Sequence, residues 1–450
     1  MSQLTRLVFA PVRLLAALIG KLSQPMRILL ALVLGLGAGI TSVAAGFIWQ
    51  DASISVGETV GGMWLNALRM TIVPLVVALL ITSIAASAAA ARASKLASRS
   101  LVLFVALLWT SAITAALLTP LFLDLFPLPP ESSAALREAL SGAEPVGAAP
   151  SFMDFLRSIV PSNAIAAAAE DAILPLIVFT IVFAFAVTRI PAEPRERIVG
   201  FFQAIADTML VVINWVLWIA PLGVFGLAYV VGARAGGGAF GALLHYVLIV
   251  SAVGIVIWLA AWPLAAIGAR IPLGRYTRAI APSQAVAFST QSSLATLPAM
   301  LRAAERVGVP VAASGVALPM AVAVFRATGP AMNLAVAIYI ASWFGYELTV
   351  GQLALGVAAA ATTTMGAVGI PGQASFVTSI APICIAMGLP IEPLAILIAV
   401  EVIPDIIRTL GNVSMDVSAS ATAARISGYS QAEANSLEDR LAKGEAAPQP

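Results

Sequence analysis

The sequence predicts an all-α polytopic membrane protein, and three observations carry that prediction. Of 450 residues, 60% are hydrophobic and only 10% are charged, and the mean hydropathy is +0.99. Continuous apolar runs such as "ILLALVLGLGAGITSVAAGFIW" and "LLHYVLIVSAVGIVIWLAAWPLAAI" exceed the roughly 20 residues that cross a hydrocarbon core. The runs do not alternate in short segments as the strands of a membrane barrel do. Helices are the remaining way to satisfy a backbone in lipid.

Candidate spans fall near residues 27–49, 62–89, 100–124, 165–188, 203–231 and 243–267. They are rich in Ala, Leu and Val and nearly free of charge at their centres. The basic residues cluster between spans, at Arg6, Arg13, Lys21 and Arg27, at Arg92, Lys95 and Arg99, at Arg189, Arg195 and Arg197, and at Arg270, Arg275 and Arg278. "FPLPPESSAALREALSGAEPVGAAPSF" is acidic-leaning and rich in Pro, Ala and Ser. The positive-inside rule puts the N-terminus and the basic loops in the cytoplasm and this long loop outside. Residues 1–24 lack the layout of a cleavable signal, because basic residues are spread through them. The single cysteine, Cys384, excludes an intrachain disulfide and a thiolate metal cluster. The sole histidine, His245, reads as an interfacial residue rather than a proton relay.

After Pro272 the pattern changes. "AFSTQSSLATLPAM" (287–300) and "TTMGAVGIPGQASF" (363–376) are small-residue, hydroxyl- and Gly-rich interruptions inside apolar sequence. Two such tips predict two re-entrant hairpins from an inverted repeat, with a site between them. Between the hairpins lies "VFRATGPAMN" (324–333), an arginine followed by a Gly-Pro pair. Proline removes a donor and clashes with the preceding turn, so the helix is expected to unwind there.

The last apolar segment carries Glu401, Asp405, Arg408, Asn412 and Asp416 in "EVIPDIIRTLGNVSMD". Spacings of three and four place all five on one stripe of a single helix. One charge at mid-membrane costs about 2.5–3.5 kcal/mol on insertion scales, so this stripe faces a wet cavity or partners. The bland alternative is a structural ion-pair ladder. A channel would show a repeated filter or charged rings from symmetric subunits, whereas this stripe is single and asymmetric. A hydrolase needs a base beside its nucleophile, and His245 lies far in sequence from the serines of the first tip. The chain is expected not to be an enzyme, and nothing in it suggests a nucleic-acid partner.

These segments resemble the dicarboxylate/amino acid:cation symporter family, the glutamate transporter homologues. "STQSSLATLP" is similar to the family's serine-rich first tip, "GAVGIPGQA" to its second tip, and "DIIRTLGNVSMD" to its final helix. "IAPLGVFGLAYVV" and "LRMTIVPLVV" resemble other family stretches, and the likeness runs over roughly 27–425. It implies eight transmembrane helices plus two re-entrant helical hairpins, an elevator-type fold, a homotrimer in the bilayer and a small anionic substrate. It implies a cytoplasmic segment 1–26, a transporter domain 27–425 and a polar tail 426–450. The mobile part would include about 62–124 and 277–425. The location implied is the cell membrane, the inner membrane in a bacterium, with both termini cytoplasmic.

Residue by residue, the resemblance implies a substrate site of Ser292, Ser293, Ile370, Gly372, Asp405, Arg408, Thr409 and Asn412. Asp405 would take an α-ammonium, Asn412 an α-carboxylate and Arg408 a side-chain carboxylate, for which its planar fork is suited. The departure lies in the broken helix. The family's Asn-Met-Asp-Gly-Thr falls on Phe325, Arg326, Ala327, Thr328 and Gly329, so two sodium-ligating residues are absent. Thr110 and Ser111 look like a remnant of one cation site, and Asn412 and Asp416 of another, a residual sodium site. A charge pair at ~4 Å and an effective dielectric of ~20 is worth roughly 4 kcal/mol, so Arg326 argues against sodium beside it. The expectation is that Arg326 stands in for the cation, pairing with Asp416 or Glu401. Coupling would then rest on a proton at Glu401 or Asp416 rather than on sodium, with no organic cofactor. The alternatives are a sodium-coupled dicarboxylate carrier, a neutral or cystine-type amino acid carrier, or an anion channel.

Overall fold

A computed structural model describes residues 23–46, 48–93, 95–128, 160–170, 173–236, 238–366 and 372–429. Among them every regular element is helical. The predicted acidic-leaning loop falls largely outside the described residues, as do residues 1–22, the tail from 430 onward and the second hairpin tip at 367–371.

The predicted spans correspond to helices with somewhat different bounds. The first is α1 (Gln24–Ala44), with Ser23 at its N-cap position and Pro25 in its first turn. The second becomes α2 (Gln50–Arg69) and α3 (Ile72–Ala93), longer than the hydropathy peak alone indicated. The third is α4 (Lys95–Leu125). A short α5 (Ala164–Ala169), whose Asn163 side chain caps two backbone N–H groups, leads into α6 (Ile173–Val187). The fifth divides into α7 (Ala192–Trp218) and α8 (Ala220–Ala235), and Pro221 supplies the break, since it cannot donate to the preceding turn. The sixth is α9 (Gly238–Leu259), which continues through Ala261–Pro263 into a π-helical turn at Leu264–Gly268.

The region after Pro272 holds α10 (Leu273–Thr290), α11 (Ser293–Val307), α12 (Val311–Val324) and α13 (Thr328–Phe344). It continues with α14 (Val350–Gly366), α15 (Gly372–Ala386), α16 (Leu394–Val400) and α17 (Val402–Ile426). Helices α10 and α11 form the first hairpin; α14 and α15 flank the second tip. Six stretches among the described residues are long and apolar enough to cross a membrane, including Met26–Ala44, Lys95–Leu125 and Phe240–Gly268. Large apolar side chains such as Phe201, Trp215 and Trp218 on α7 are exposed, as expected for surfaces that face lipid or another chain.

Helices α1 and α8 pack backbone to backbone. A Cβ at Gly39 would lie 2.2 Å from the Tyr229 carbonyl oxygen, so only glycine permits the approach. Ser53 meets the Tyr229 hydroxyl at 2.6 Å, and Trp64 Nε1 donates to the Val216 carbonyl at 3.0 Å, tying α2 to the same assembly. At the other centre lies α13, buried at every position from Thr328 to Ala341. It packs against α4, α9, α14, α15 and α17.

Candidate functional site

Two helix breaks create the site. Pro330 is the third residue of α13 and has no N–H to give to the Arg326 carbonyl, which instead accepts from Gly329 at 2.8 Å. Residues 325–327 are therefore unwound, as the Gly-Pro pair predicts. The second break is a correction. The stripe from Glu401 to Asp416 does not lie on one uninterrupted helix. Pro404 is the third residue of α17, and Glu401 sits at a turn between α16 and α17 as the N-cap of the latter. The same physics acts at both places: a proline in the first turn leaves a carbonyl of the preceding turn without its donor.

The break before α13 meets the body of α17 through Thr328 and Asn412. Asn412 Oδ1 accepts from the Thr328 N–H at 3.0 Å and lies 2.8 Å from the Thr328 hydroxyl, which is also 2.9 Å from the Arg408 carbonyl. A Cβ on Gly411 would come within 2.4 Å of Thr328 Cγ2, so glycine there allows the two segments to close.

Arg408 is enclosed, with 3% of its side chain exposed. Nη2 pairs with Glu401 Oε1 at 2.5 Å, Nη1 donates to Asn333 Oδ1 at 3.1 Å, and Nε lies 3.8 Å from Asp405 Oδ1. Nε itself has no hydrogen-bond acceptor among the described residues. Glu401 Oε2 accepts from the Tyr246 hydroxyl of α9 at 3.1 Å. Asp405 is the more accessible carboxylate, at 12% against 2% for Glu401. Thr409 lies beside it and returns its hydroxyl to the Asp405 carbonyl at 2.9 Å.

Asp416 is buried, and neither of its carboxylate oxygens has a hydrogen-bond donor among the described residues. Arg326 is partly buried and within electrostatic reach of Asp416, Asp405 and Arg408. Of the two partners considered from sequence, Asp416 is thus the one near Arg326, whereas Glu401 is held by Arg408 and Tyr246.

The remaining candidates are distributed around this centre. Ser292 caps α11, its Oγ accepting from the Ala295 N–H at 3.2 Å, and Ser293 is the helix's first residue. Gln291 closes the tip in the left-handed region at φ 49°. Gly372 opens α15, and Ile370 lies outside the described residues. Thr110 and Ser111 are not brought together. Thr110 is exposed and bonds its own helix at Ala106, while the buried Ser111 hydroxyl donates to the Ala327 carbonyl at 2.5 Å. Phe325 stacks on Phe104 of α4 at 4.7 Å and 12°. His245 meets the Tyr339 hydroxyl at 3.1 Å and the Phe126 carbonyl at 2.8 Å. Sequence reasoning missed Tyr246, Asn333 and Thr328. The signal for Asn333 was its polarity inside an apolar helix; Tyr246 carries no such mark.

The arrangement is a buried, charge-rich centre between a hairpin and two broken helices. The sodium:dicarboxylate symporter family model matches residues 25–426. The chain belongs to the sodium:dicarboxylate symporter family. It is 27% identical over 402 residues to the proton/glutamate-aspartate symporter of Escherichia coli, covering 87% of this chain and 90% of that protein. It is 28% identical to the human neutral amino acid transporter B(0), covering 85% and 75%. It is 24% identical to the C4-dicarboxylate transport protein of Bacillus subtilis, covering 81% and 86%. This member of the symporter family is therefore a membrane protein and a secondary transporter, not an enzyme.

Proposed function

We propose that this symporter-family protein carries an acidic amino acid or dicarboxylate without requiring sodium. The substrate would bind between the two hairpins and α17, with Asp405 taking the amine, Asn412 and the tip amides of Ser292, Ser293, Ile370 and Gly372 the main carboxylate, and Arg408 a second carboxylate. Thr409 lines the same face. Two relatives are named for glutamate, aspartate or C4-dicarboxylates, which supports that substrate class. A homotrimer in the cell membrane, with a mobile part including about 62–124 and 277–425, completes the reading by family likeness.

The observation that carries sodium independence is that Arg326 lies within electrostatic reach of Asp416, whose two oxygens lack hydrogen-bond donors among the described residues. A fixed guanidinium there supplies the charge a bound sodium would bring. Asn412 Oδ1 is already engaged by Thr328, and Ser111 by the Ala327 carbonyl, so these oxygens are poorly placed to ligate a cation. The test is uptake of labelled aspartate, glutamate and succinate into proteoliposomes with sodium or choline outside. Equal uptake supports the reading, and a strict sodium requirement overturns it.

A second reading has an observation of its own. Arg408 already has an internal partner in Glu401 at 2.5 Å, which suits a neutral amino acid that brings no second carboxylate. Serine and alanine in the same assay distinguish it.

A further inference from the structure

Away from the buried centre, one rim of the molecule gathers the starts of α4 and α10 and the ends of α11, α17 and the π-helical turn. Arginines tie these ends together. Arg99 of α4 donates Nη1 to the Ile426 carbonyl at the end of α17, at 2.6 Å. Arg425 of α17 donates Nη1 to the carbonyls of Gly268 and Ile267 in the π-helical turn, at 2.5 and 3.1 Å. Arg275 of α10 donates Nε to the Arg306 carbonyl at the end of α11, at 3.0 Å. Helix C-termini carry partial negative charge, which suits a cation on each of these carbonyls.

Each clamp uses only part of a guanidinium, which has five N–H groups. Arg275 holds its carbonyl through Nε alone, so both of its Nη groups remain for another acceptor. Arg99, Arg275 and Arg425 are exposed, as are Arg270, Arg278 and Arg306. None of them pairs with a carboxylate among the described residues. Across residues 261–308 and 417–429 the sole acidic side chain is Glu305.

The same rim is apolar and aromatic. Ile267, Leu273 and Ile426 are 78%, 51% and 53% exposed. Trp262 is half-buried, stands edge-on to Tyr276 at 5.6 Å and donates Nε1 to Thr277 Oγ1 at 2.8 Å. A tryptophan with its ring packed and its N–H bonded suits the membrane–water interface. Thr277 lies between Arg275 and Arg278, so the arginines stand at headgroup depth. A soluble acidic partner would answer their charge and leave the exposed isoleucines and leucine unmatched. A phospholipid answers both, with its phosphate on the planar forks and its chains on the apolar side chains.

We propose that this rim is a binding site for the headgroups of anionic phospholipids. Arg275 and Arg425, held in place by helix-end carbonyls, donate to the lipid phosphate, and Arg99, Arg270, Arg278 and Arg306 supply the surrounding positive field. The positive-inside rule assigns these same basic segments to the cytoplasmic side, so the lipid belongs to the inner leaflet. The site joins the first hairpin to the end of α17, the helix that carries the charged stripe. It is independent of which substrate is carried and of the coupling ion.

The experiment is native mass spectrometry of the full-length protein in neutral detergent, with thermal unfolding as a second readout. The probes are dioleoylphosphatidylglycerol, dioleoylphosphatidylcholine, glycerophosphoglycerol (the same headgroup without chains) and inorganic phosphate. The expected result is that phosphatidylglycerol stays bound and raises the unfolding midpoint, less so as salt is added, while phosphatidylcholine does neither. Arg275→Gln and Arg425→Gln should each weaken phosphatidylglycerol binding about fivefold. Arg275→Lys, which keeps the charge and loses the fork, should fall between Arg275→Gln and the wild type. Arg197→Gln, at an exposed arginine paired with Glu193, should change nothing. Equal retention of the two lipids by the wild type overturns the inference, whether or not the variants fold. So does phosphatidylglycerol binding that Arg275→Gln and Arg425→Gln leave intact. Stabilisation by phosphate or glycerophosphoglycerol as strong as by the lipid overturns it too, since the site would then take a free anion.

Discussion

Thr328 and Asn412 join the two broken helices. The Asn412 carbonyl oxygen lies 3.0 Å from the Thr328 amide nitrogen and 2.8 Å from its hydroxyl oxygen, both in a region sealed from solvent. The contact fixes α13 against α17 at the level of the charged stripe, so the positions of Arg326 and Arg408 depend on it. Thr328→Val removes the hydroxyl at nearly constant shape and leaves a buried oxygen with one donor fewer. A loss of about 1–2 kcal/mol of stability is expected, read as a lower midpoint of thermal unfolding in detergent. Thr328→Ser, which keeps the hydroxyl, should restore most of it.

Arg326 and Asp416 should behave as a coupled pair. Arg326→Met leaves the Asp416 carboxylate without its nearby counter-charge, whereas Arg326→Met with Asp416→Asn removes both charges. The double variant should therefore be more stable than the two single losses together imply, with an interaction energy of at least about 0.5 kcal/mol in a double-mutant cycle. Additive losses would show that the two charges do not interact.

The same centre should bind sodium only when rebuilt. Adding sodium chloride in place of choline chloride should leave the wild-type thermal midpoint unchanged, because a ligand stabilises only what it binds. The triple change Phe325→Asn, Arg326→Met and Ala327→Asp introduces the residue types that the sequence resemblance implies for sodium ligation and should make the midpoint rise with sodium. A sodium-dependent rise in the wild type would argue against Arg326 as the built-in cation.

Much of this fold was legible because membrane insertion imposes long apolar helices and because proline has a local effect. Pro330 announced the break at 325–327, and the hydroxyl-rich tip announced the turn at Gln291–Ser292. Pro404 carried the same message, yet the regular spacing from Glu401 to Asp416 masked it: a helix interrupted for one residue keeps nearly the same periodicity. The partner choice of Glu401 was not legible. It depends on Tyr246 and Asn333, which arrive from α9 and α13, and long-range side-chain convergence leaves no spacing in the sequence. Thr110 and Ser111 illustrate the converse, since neighbours in a helix point about 100° apart and only Ser111 faces Ala327.

Phe325 should matter as filler rather than as a ligand. It is fully buried and stacked on Phe104, and aromatic pairs of this kind add to the burial energy of each ring. Phe325→Ala should cost about 3–5 kcal/mol, enough to lower the unfolding midpoint sharply. Phe325→Leu should cost clearly less, since it retains much of the volume. Equal effects of the two would mean that the ring is not packed as described.

Two glycines on α1 provide a matched comparison for the packing of the first helices. At Gly39 an added Cβ would lie 2.2 Å from the Tyr229 carbonyl oxygen and 2.6 Å from the Ala233 nitrogen, both rigid backbone atoms, whereas at Gly37 nothing lies within 4 Å. Gly39→Ala must push α1 away from α8, and with it loosen the contact along the whole interface. Gly37→Ala should be neutral or slightly stabilising, because alanine is the better helix former by about 0.8–1 kcal/mol. Thermal unfolding and the monodispersity of the purified variants report the difference. The contrast isolates close approach from helix propensity, since both substitutions are the same change in the same helix, two residues apart.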